Sequence, residues 1–188
     1  MKRIYSLTKI KEFSDLYFKA SGFKVPLGYL VTSQVYVCER DGEFKGGFVV
    51  GKSNEYKRTI EVFVSVDNKE AMYKQNKDTI EVCCFWMDKN FSASKWSSAL
   101  CWIQMCWIIF RQKEKQIIWG TNSLGLARVY DLPSRSYCIH IEQSGPRFNY
   151  VFKAETNYFL LGVVSVVKNK LFRNTDKRKR MVINYYKK

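Results

Sequence analysis

Apolar and polar positions along this chain follow two periods, and the switches between them mark out the elements. From Lys9 to Phe23, the residues Ile10, Phe13, Leu16, Tyr17 and Ala20 fall on one helical face, with Gly22 as a natural stop. The preceding "KRIYSLT" suits a short strand, so the chain opens β then α. After a break at Pro26 and Gly28, "QVYVCER" and "FKGGFVVGK" flank Asp41-Gly42, a dipeptide that tolerates the positive φ of a tight hairpin. "RTIEVFVSV", with Ile60, Phe63 and Val64 apolar, is expected to be a further strand. A polar segment, Asp67–Asp78, then leads to the dense apolar strand Thr79–Met87.

A turn of small polar residues, Lys89–Lys95, follows that strand and opens a long helix expected over Ala93–Gln112. Its apolar residues extend around much of its circumference, which predicts a buried helix in which Trp96, Trp102, Met105 and Trp107 are packing residues. Beyond it, "KQIIWGT" makes a strand and "NSLGLARVYDL" a short helix that Pro133 ends. "RSYCIHIEQ" and "RFNYVFKAE" are two strands joined by a Ser144-Gly145-Pro146 turn. In "YFLLGVVSVVKNKLF" the β-branched Val163, Val164, Val166 and Val167 compete with a helical reading, leaving helix and strand both open.

Composition narrows the class. The chain has 188 residues, 46% of them hydrophobic, which fits one core with a tail and excludes global disorder. The boundary is expected near residue 155, with an apolar segment and a basic tail over residues 156–188. The six cysteines (Cys38, Cys83, Cys84, Cys101, Cys106 and Cys138) lie in or beside apolar runs without C-x-x-C spacing, so they read as reduced core residues and no metal site is expected. No apolar leader follows Met1-Lys2-Arg3, and the blocks Ala99–Phe110 and Phe159–Val167 are too short to span a bilayer; a cytoplasmic protein is the expectation. The net charge of +15 is concentrated toward the end, where Lys177, Arg178, Lys179 and Arg180 form an unbroken run. Such a surface attracts polyanions, so nucleic acid, acidic lipid headgroups or a phosphorylated small molecule are the partners to weigh, with an acidic acyl carrier protein as a further possibility. No helix-turn-helix, zinc-finger or ribonucleoprotein signature accompanies the charge.

Candidate chemistry centres on the strand, turn and helix from Thr79 to Phe110. Such a junction leaves backbone N–H groups and a positive dipole end at the helix start, a cradle for a phosphate-bearing ligand. Asn90, Ser92, Ala93, Ser94 and Lys95 occupy that turn. Glu81 and Glu61 are carboxylates within apolar strands as read here, where burial raises a carboxylate toward a base. Adjacent strand residues point to opposite faces, so one of Cys83 and Cys84 should line a cleft, as an inert thiol without an activating base. The lone histidine, His140, sits between Ile139 and Ile141 with no triad partner nearby and reads as structural.

The element order β-α-ββ(β)-β-α-β-α-β-β resembles the GCN5-related N-acetyltransferase (GNAT) family over about residues 1–155. "RIYSLTKIKEFSDLYFKASGF" is similar to that family's first strand and helix, and "VYVCERDGEFKGGFVVG" to its second and third strands. "IIWGTNSLGLARVYDL" resembles the pattern of strand, Asn or Ser, small residue and then Tyr, with Asn122, Ser123 and Tyr130 in those places. The resemblance implies an α/β (α+β) fold with a mixed, mostly antiparallel central sheet of six to seven strands flanked by helices. It implies acetyl-CoA or another acyl-CoA as co-substrate, lying between the fourth and fifth strands with its pyrophosphate on the turn Lys89–Lys95. The family's R/Q-x-x-G-x-G/A pattern is absent from that turn, where serine hydroxyls and a lysine stand in for glycine.

Direct transfer of an acyl group from a thioester to an amine needs a neutral amine, an oxyanion donor and an acid for the departing thiolate. The resemblance assigns Tyr130 as that acid, a backbone N–H near Phe85, Trp86 and Met87 as the donor, and Asn122 and Ser123 to the cofactor. Glu81 is the candidate base. The alternative is a catalytically inert scaffold of the same shape that binds nucleic acid or a protein partner through its basic surface. The amine acceptor is open, its cleft expected to be built from loops such as Val25–Ser33 and Asp67–Asp78.

Overall fold

Seven strands form one sheet in the order β1-β2-β3-β4-β5-β7-β6, and every neighbouring pair is antiparallel except β4 with β5. The structure, a computed structural model, describes residues 1–124, 127 and 136–157. Its elements are β1 (Lys2–Ile4), α1 (Leu7–Ser21), α2 (Leu27–Thr32), β2 (Gln34–Arg40), β3 (Glu43–Gly51), α3 (Arg58–Phe63) and α4 (Val66–Gln75). They continue with β4 (Thr79–Met87), α5 (Lys89–Ala93), α6 (Lys95–Phe110), β5 (Gln116–Thr121), β6 (Ser136–Ser144) and β7 (Arg147–Glu155). This is the mixed, mostly antiparallel sheet with flanking helices that the sequence predicts. The segment "YFLLGVVSVVKNKLF", the basic tail and Tyr130 lie outside the described residues.

The hairpin joining β2 and β3 forms at Asp41-Gly42, whose φ values of 55° and 78° meet the requirement for a tight two-residue turn. Strand alternation sorts side chains to two faces. Phe48, Val50, Ile117, Trp119 and Phe152 point to the face covered by α6. Val35, Val37 and Val49 meet α1 and α2, while Ile118 and Val151 meet α3 and α4 on that same opposite face.

Two expectations are corrected. The segment read as the strand "RTIEVFVSV" begins with the helix α3, and the polar stretch Asp67–Asp78 is mostly the helix α4. A single buried carboxylate accounts for α3. Glu81 on β4 is fully buried; its Oε1 accepts from Tyr29 Oη at 2.7 Å and from the Arg58 amide at 2.8 Å, and its Oε2 accepts from the Thr59 amide at 2.8 Å. Amides at the start of a helix have no partner within it, so the carboxylate holds them and overrides the strand preference of Thr59, Ile60 and Val62. Opposite Glu81, Gly51 leaves the space: a Cβ there would lie 2.5 Å from Tyr29 Oη and 2.8 Å from Glu81 Oε1. Lys57, fully buried beside α3, donates from Nζ to the carbonyls of Ser53 at 3.0 Å and Thr79 at 2.6 Å. Burial lowers its pKa, and the charges of Glu81 and Asp78 oppose that effect.

The long helix also differs from its expectation. Ala99, Trp102, Met105, Cys106 and Ile109 are buried against the sheet, but Trp96 and Trp107 are 71% and 55% exposed, and Leu100, Ile103 and Phe110 share their outer face. A helix lying on a sheet buries only the face turned to it, and an apolar run without charges cannot reveal which face that is.

Because both oxygens of Glu81 are spent on α2 and α3, Glu81→Gln should lower stability by about 2–3 kcal/mol in urea unfolding at neutral pH. Glu61→Gln, which breaks a partly exposed pair with Lys69, should cost under about 1 kcal/mol in the same measurement.

Candidate functional site: a slot through the sheet

β4 and β5 are hydrogen-bonded only from Thr79↔Gln116 to Glu81↔Ile118; beyond that the strands part. Parallel strands that pair over so short a length leave the β5-facing edge of β4 from Val82 onward without a ladder partner among the described strands. The gap opens into a cavity of about 250 Å³. Val82, Phe85, Trp102 and Met105 line it from the face of α6, and Tyr17, Ser21, Arg58, Cys83 and Cys84 from the face of α1 and α3. It therefore passes through the plane of the sheet. At ~30 Å³ per water-sized group the space holds roughly eight such groups, room for the reacting ends of two molecules.

The wall formed by β4 is bent. Gly47 pairs with Trp86 but Val49 pairs with Cys83, so Cys84 and Phe85 together oppose the single residue Phe48. Cys84 takes φ 54°, a left-handed conformation that a non-glycine residue adopts only under constraint. Cys83 and Cys84, expected on opposite faces, consequently share one side, with their sulfurs 3.5 Å apart. The bulge breaks the alternation and turns the β4 backbone at the waist of the slot.

The sequence-predicted residues fall into three groups. Phe85, Asn122 and Ser123 line the cavity, with the Phe85 ring 4.6 Å from that of Trp102 and the Ser123 amide donating to Thr121 Oγ1 at 3.0 Å. Trp86 faces the other way, against Phe13 at 6.4 Å between ring centroids, and Met87 packs on the α6 side outside the lining. The third group is the phosphate cradle, and its geometry corrects the expectation of an open turn. Residues 89–93 are helical, and the Asp88 carboxylate occupies the amides of Asn90 at 2.9 Å and Phe91 at 3.1 Å. Ser92 Oγ donates to the Lys89 carbonyl at 2.9 Å, Ala93 closes α5, and Ser94 caps α6 by accepting from the Ser97 amide at 3.3 Å. Lys95 is the first residue of α6. An Asp in the N-cap position explains why the amides are taken: it serves the helix as a phosphate would.

Glu81 reaches Arg58 and Thr59 by their backbones and anchors the slot from below, at the last paired position of β4 and β5. Glu61 is engaged by Tyr73 at 2.8 Å and Lys69 at 2.6 Å; burial acts upward on its pKa, and these two bonds bring it below the ordinary carboxylate value. His140 bonds Glu142 at 3.0 Å near the sheet edge, the structural role the sequence predicts. The polar lining residues that the sequence does not point to include Tyr17 and Ser21 on α1, and Arg58 and Thr59, which reading residues 58–66 as a strand removed from any site. The available signal was Glu81 itself, a carboxylate inside an otherwise apolar strand, which requires buried donors nearby.

No protein-family model matches the sequence, and no curated protein sequence matches it. Solved structures do match. FeeM, an N-acyl amino acid synthase from uncultured soil microbes, aligns over 84% of this chain and 91% of its own at 9% identity, with a TM-score of 0.59. The CoA-dependent acyl-homoserine lactone synthase MesI aligns over 85% and 86% at 12% identity and a TM-score of 0.59. The acyl-homoserine lactone synthase LasI aligns over 83% and 87% at 12% identity and a TM-score of 0.56. With the split between β4 and β5 and the order of elements, these likenesses define the fold as GNAT-like, a divergent form of the fold that the sequence resembles.

Among the described residues no helix is long and apolar enough to cross a membrane, and no cluster of His, Cys, Asp or Glu could hold a metal ion. The thiols in the slot are not set up as nucleophiles. Burial raises the Cys83 thiol, reinforced by the neighbouring Cys84 sulfur. Cys38 on β2 differs: a hydrogen bond with Cys101 lowers its pKa to about 6 against the effect of burial, with help from the N-terminal charge. Iodoacetamide at pH 7 should therefore label Cys38 first and leave Cys83 unlabelled in the folded protein, as read by peptide mass spectrometry.

Proposed function

We propose that this protein is an acyl-CoA-dependent N-acyltransferase that passes an acyl group directly from a thioester to an amine. The observation that supports this most is the slot between β4 and β5, lined from both faces of the sheet, which gives an amine a way to the carbonyl of a thioester held on the other side. The activities of FeeM and MesI, proteins of the same fold, support the same class.

In this reading the arm carrying the thioester follows the unpaired edge of β4 from Val82 to Met87, with Asn122 and Ser123 at the β5 wall. The amine enters from the face of α1 and α3 and attacks the carbonyl. Negative charge develops on the carbonyl oxygen, and a backbone N–H of the bulged stretch near Phe85 donates to it; fixed dipoles of this kind need no reorganisation as the charge appears. The carbon–sulfur bond breaks, Tyr130, which lies outside the described residues, gives its proton to the departing thiolate, and the proton shed by the attacking nitrogen restores the Tyr130 phenol. No acyl-enzyme forms, in keeping with the raised Cys83 thiol. Glu81 acts by positioning α3 rather than as a base, since its oxygens already accept three hydrogen bonds, and the amine reacts in its neutral form. In this reading the pyrophosphate rests on the turn Lys89–Lys95, where it competes with the Asp88 carboxylate for the amides of Asn90 and Phe91.

The inert-scaffold reading predicts no response to the cofactor. An acyl-CoA at about 100 times its Kd should stabilise the native state by about 2.7 kcal/mol and raise the melting temperature; no shift with acetyl-, octanoyl- or palmitoyl-CoA removes the enzyme reading. Tyr130→Phe should lower kcat by about 10- to 100-fold with the KM for acyl-CoA unchanged, measured by release of free CoA thiol. Asp88→Asn keeps the helix cap but removes a negative charge beside the pyrophosphate, so it should lower that KM by about two- to fivefold at low salt, with the gain fading as salt is added.

A further inference from the structure

Arg58 is a buried cation without an anionic partner among the described residues. Its side chain lines the slot and it is 7% exposed, yet none of the ion pairs among the described residues includes it. Its Nη2 donates to the Lys24 carbonyl, and its guanidinium bonds the Tyr56 hydroxyl. A guanidinium carries five N–H donors, so these contacts leave donors over. Its other polar neighbours are Tyr17, Cys83 and Cys84, none of them a carboxylate. Desolvating a permanent charge costs several kcal/mol unless an opposite charge answers it.

A second orphan stands next to it. Thr59 is 1% exposed and also lines the slot, and its Oγ1 has no hydrogen-bond partner among the described residues. Both backbone amides are fixed by Glu81, so the two side chains are set on a rigid first turn of α3. A planar fork of donors beside a free hydroxyl fits a carboxylate, whose oxygens accept from the guanidinium and the hydroxyl together.

The position defines what the carboxylate belongs to. Arg58 and Thr59 lie on the amine-side face, and the whole slot is only about 250 Å³, so the group they hold is close to the reacting amine. We propose that Arg58 and Thr59 bind the carboxylate of the acceptor, and that the acceptor is an α-amino acid or a molecule with the same amine-next-to-carboxylate arrangement. This names a substrate class for the acyl-transfer reading above and rests on it. A free peptide N-terminus, with a neutral amide in place of that carboxylate, would leave the Arg58 charge unanswered.

The test pairs each amino acid of a standard panel with its carboxamide and its decarboxylated amine, using octanoyl-CoA as donor and thiol release as readout, alongside calorimetric titration of the same compounds. The expected result is a kcat/KM at least about 100-fold higher for the acid than for its amide or amine in at least one set. Arg58→Met should erase that difference, Arg58→Lys should restore part of it, and Thr59→Val should raise the acceptor KM several-fold. Melting curves identify a variant that has not folded, and the comparison of acid with amide on the wild-type protein needs no variant. Equal rates for acid, amide and amine would overturn the carboxylate assignment and leave acyl transfer standing. Carboxylate-dependent binding without thiol release would uphold the assignment and overturn the transfer. Neither binding nor preference across the panel overturns the assignment.

Discussion

The carboxylate of Glu81 is the constraint on which this molecule is built. It sits at the last paired position before β4 and β5 separate, and it fastens one strand to two helices through three hydrogen bonds. A carboxylate in so dry a place is accommodated because the Tyr29 hydroxyl and two amides of α3 donate to it, with the buried Lys57 close enough to feel its charge. Once the carboxylate is satisfied, the first turn of α3 is fixed against the sheet and Arg58 and Thr59 are aimed into the slot. The architecture of the site thus follows from one residue's need for donors.

The opening between the strands has a second cause, on the other side of β4. The extra residue at Cys84 and Phe85 twists the strand away from the line it would need to continue pairing with β5. Strain at Cys84, held at φ 54°, is supported by close packing on both faces. A bulge on one edge and a short ladder on the other leave the far half of β4 without a β5 partner among the described strands, in the middle of a sheet, where backbone groups are ordinarily paired. That is the physical content of the candidate site.

Much of the frame was legible in the chain. The hairpin at Asp41-Gly42, the face of α1 and the apolar run of β4 each carry a local signal, a turn dipeptide or a clear period, that tertiary contacts did not override. The helix α3 carries none, because "RTIEVF" favours a strand by residue type and is helical only through a carboxylate more than twenty residues further along. The same distance hid Arg58 and Thr59. At the turn after β4 the composition of small polar residues was read correctly, but not that Asp88 would claim the amides, since an N-cap and a phosphate ask for the same donors. Which side of α6 would face the sheet was equally invisible, because apolar side chains are present all round it.

A passage cut through a sheet has a geometric corollary for whatever is assembled inside it. Two molecules joined end to end there become one that is threaded like cord through an eyelet. It cannot slide past Glu81 and Ile118, where the strands are stitched together. It can be drawn out along its own length, or it can slip sideways toward Met87 and Thr121, where the strands stand apart. The second exit runs past Gly120, where a single added carbon would lie 2.3 Å from the ring of Phe63. At that open end one aromatic ring is packed hard against a bare stretch of backbone.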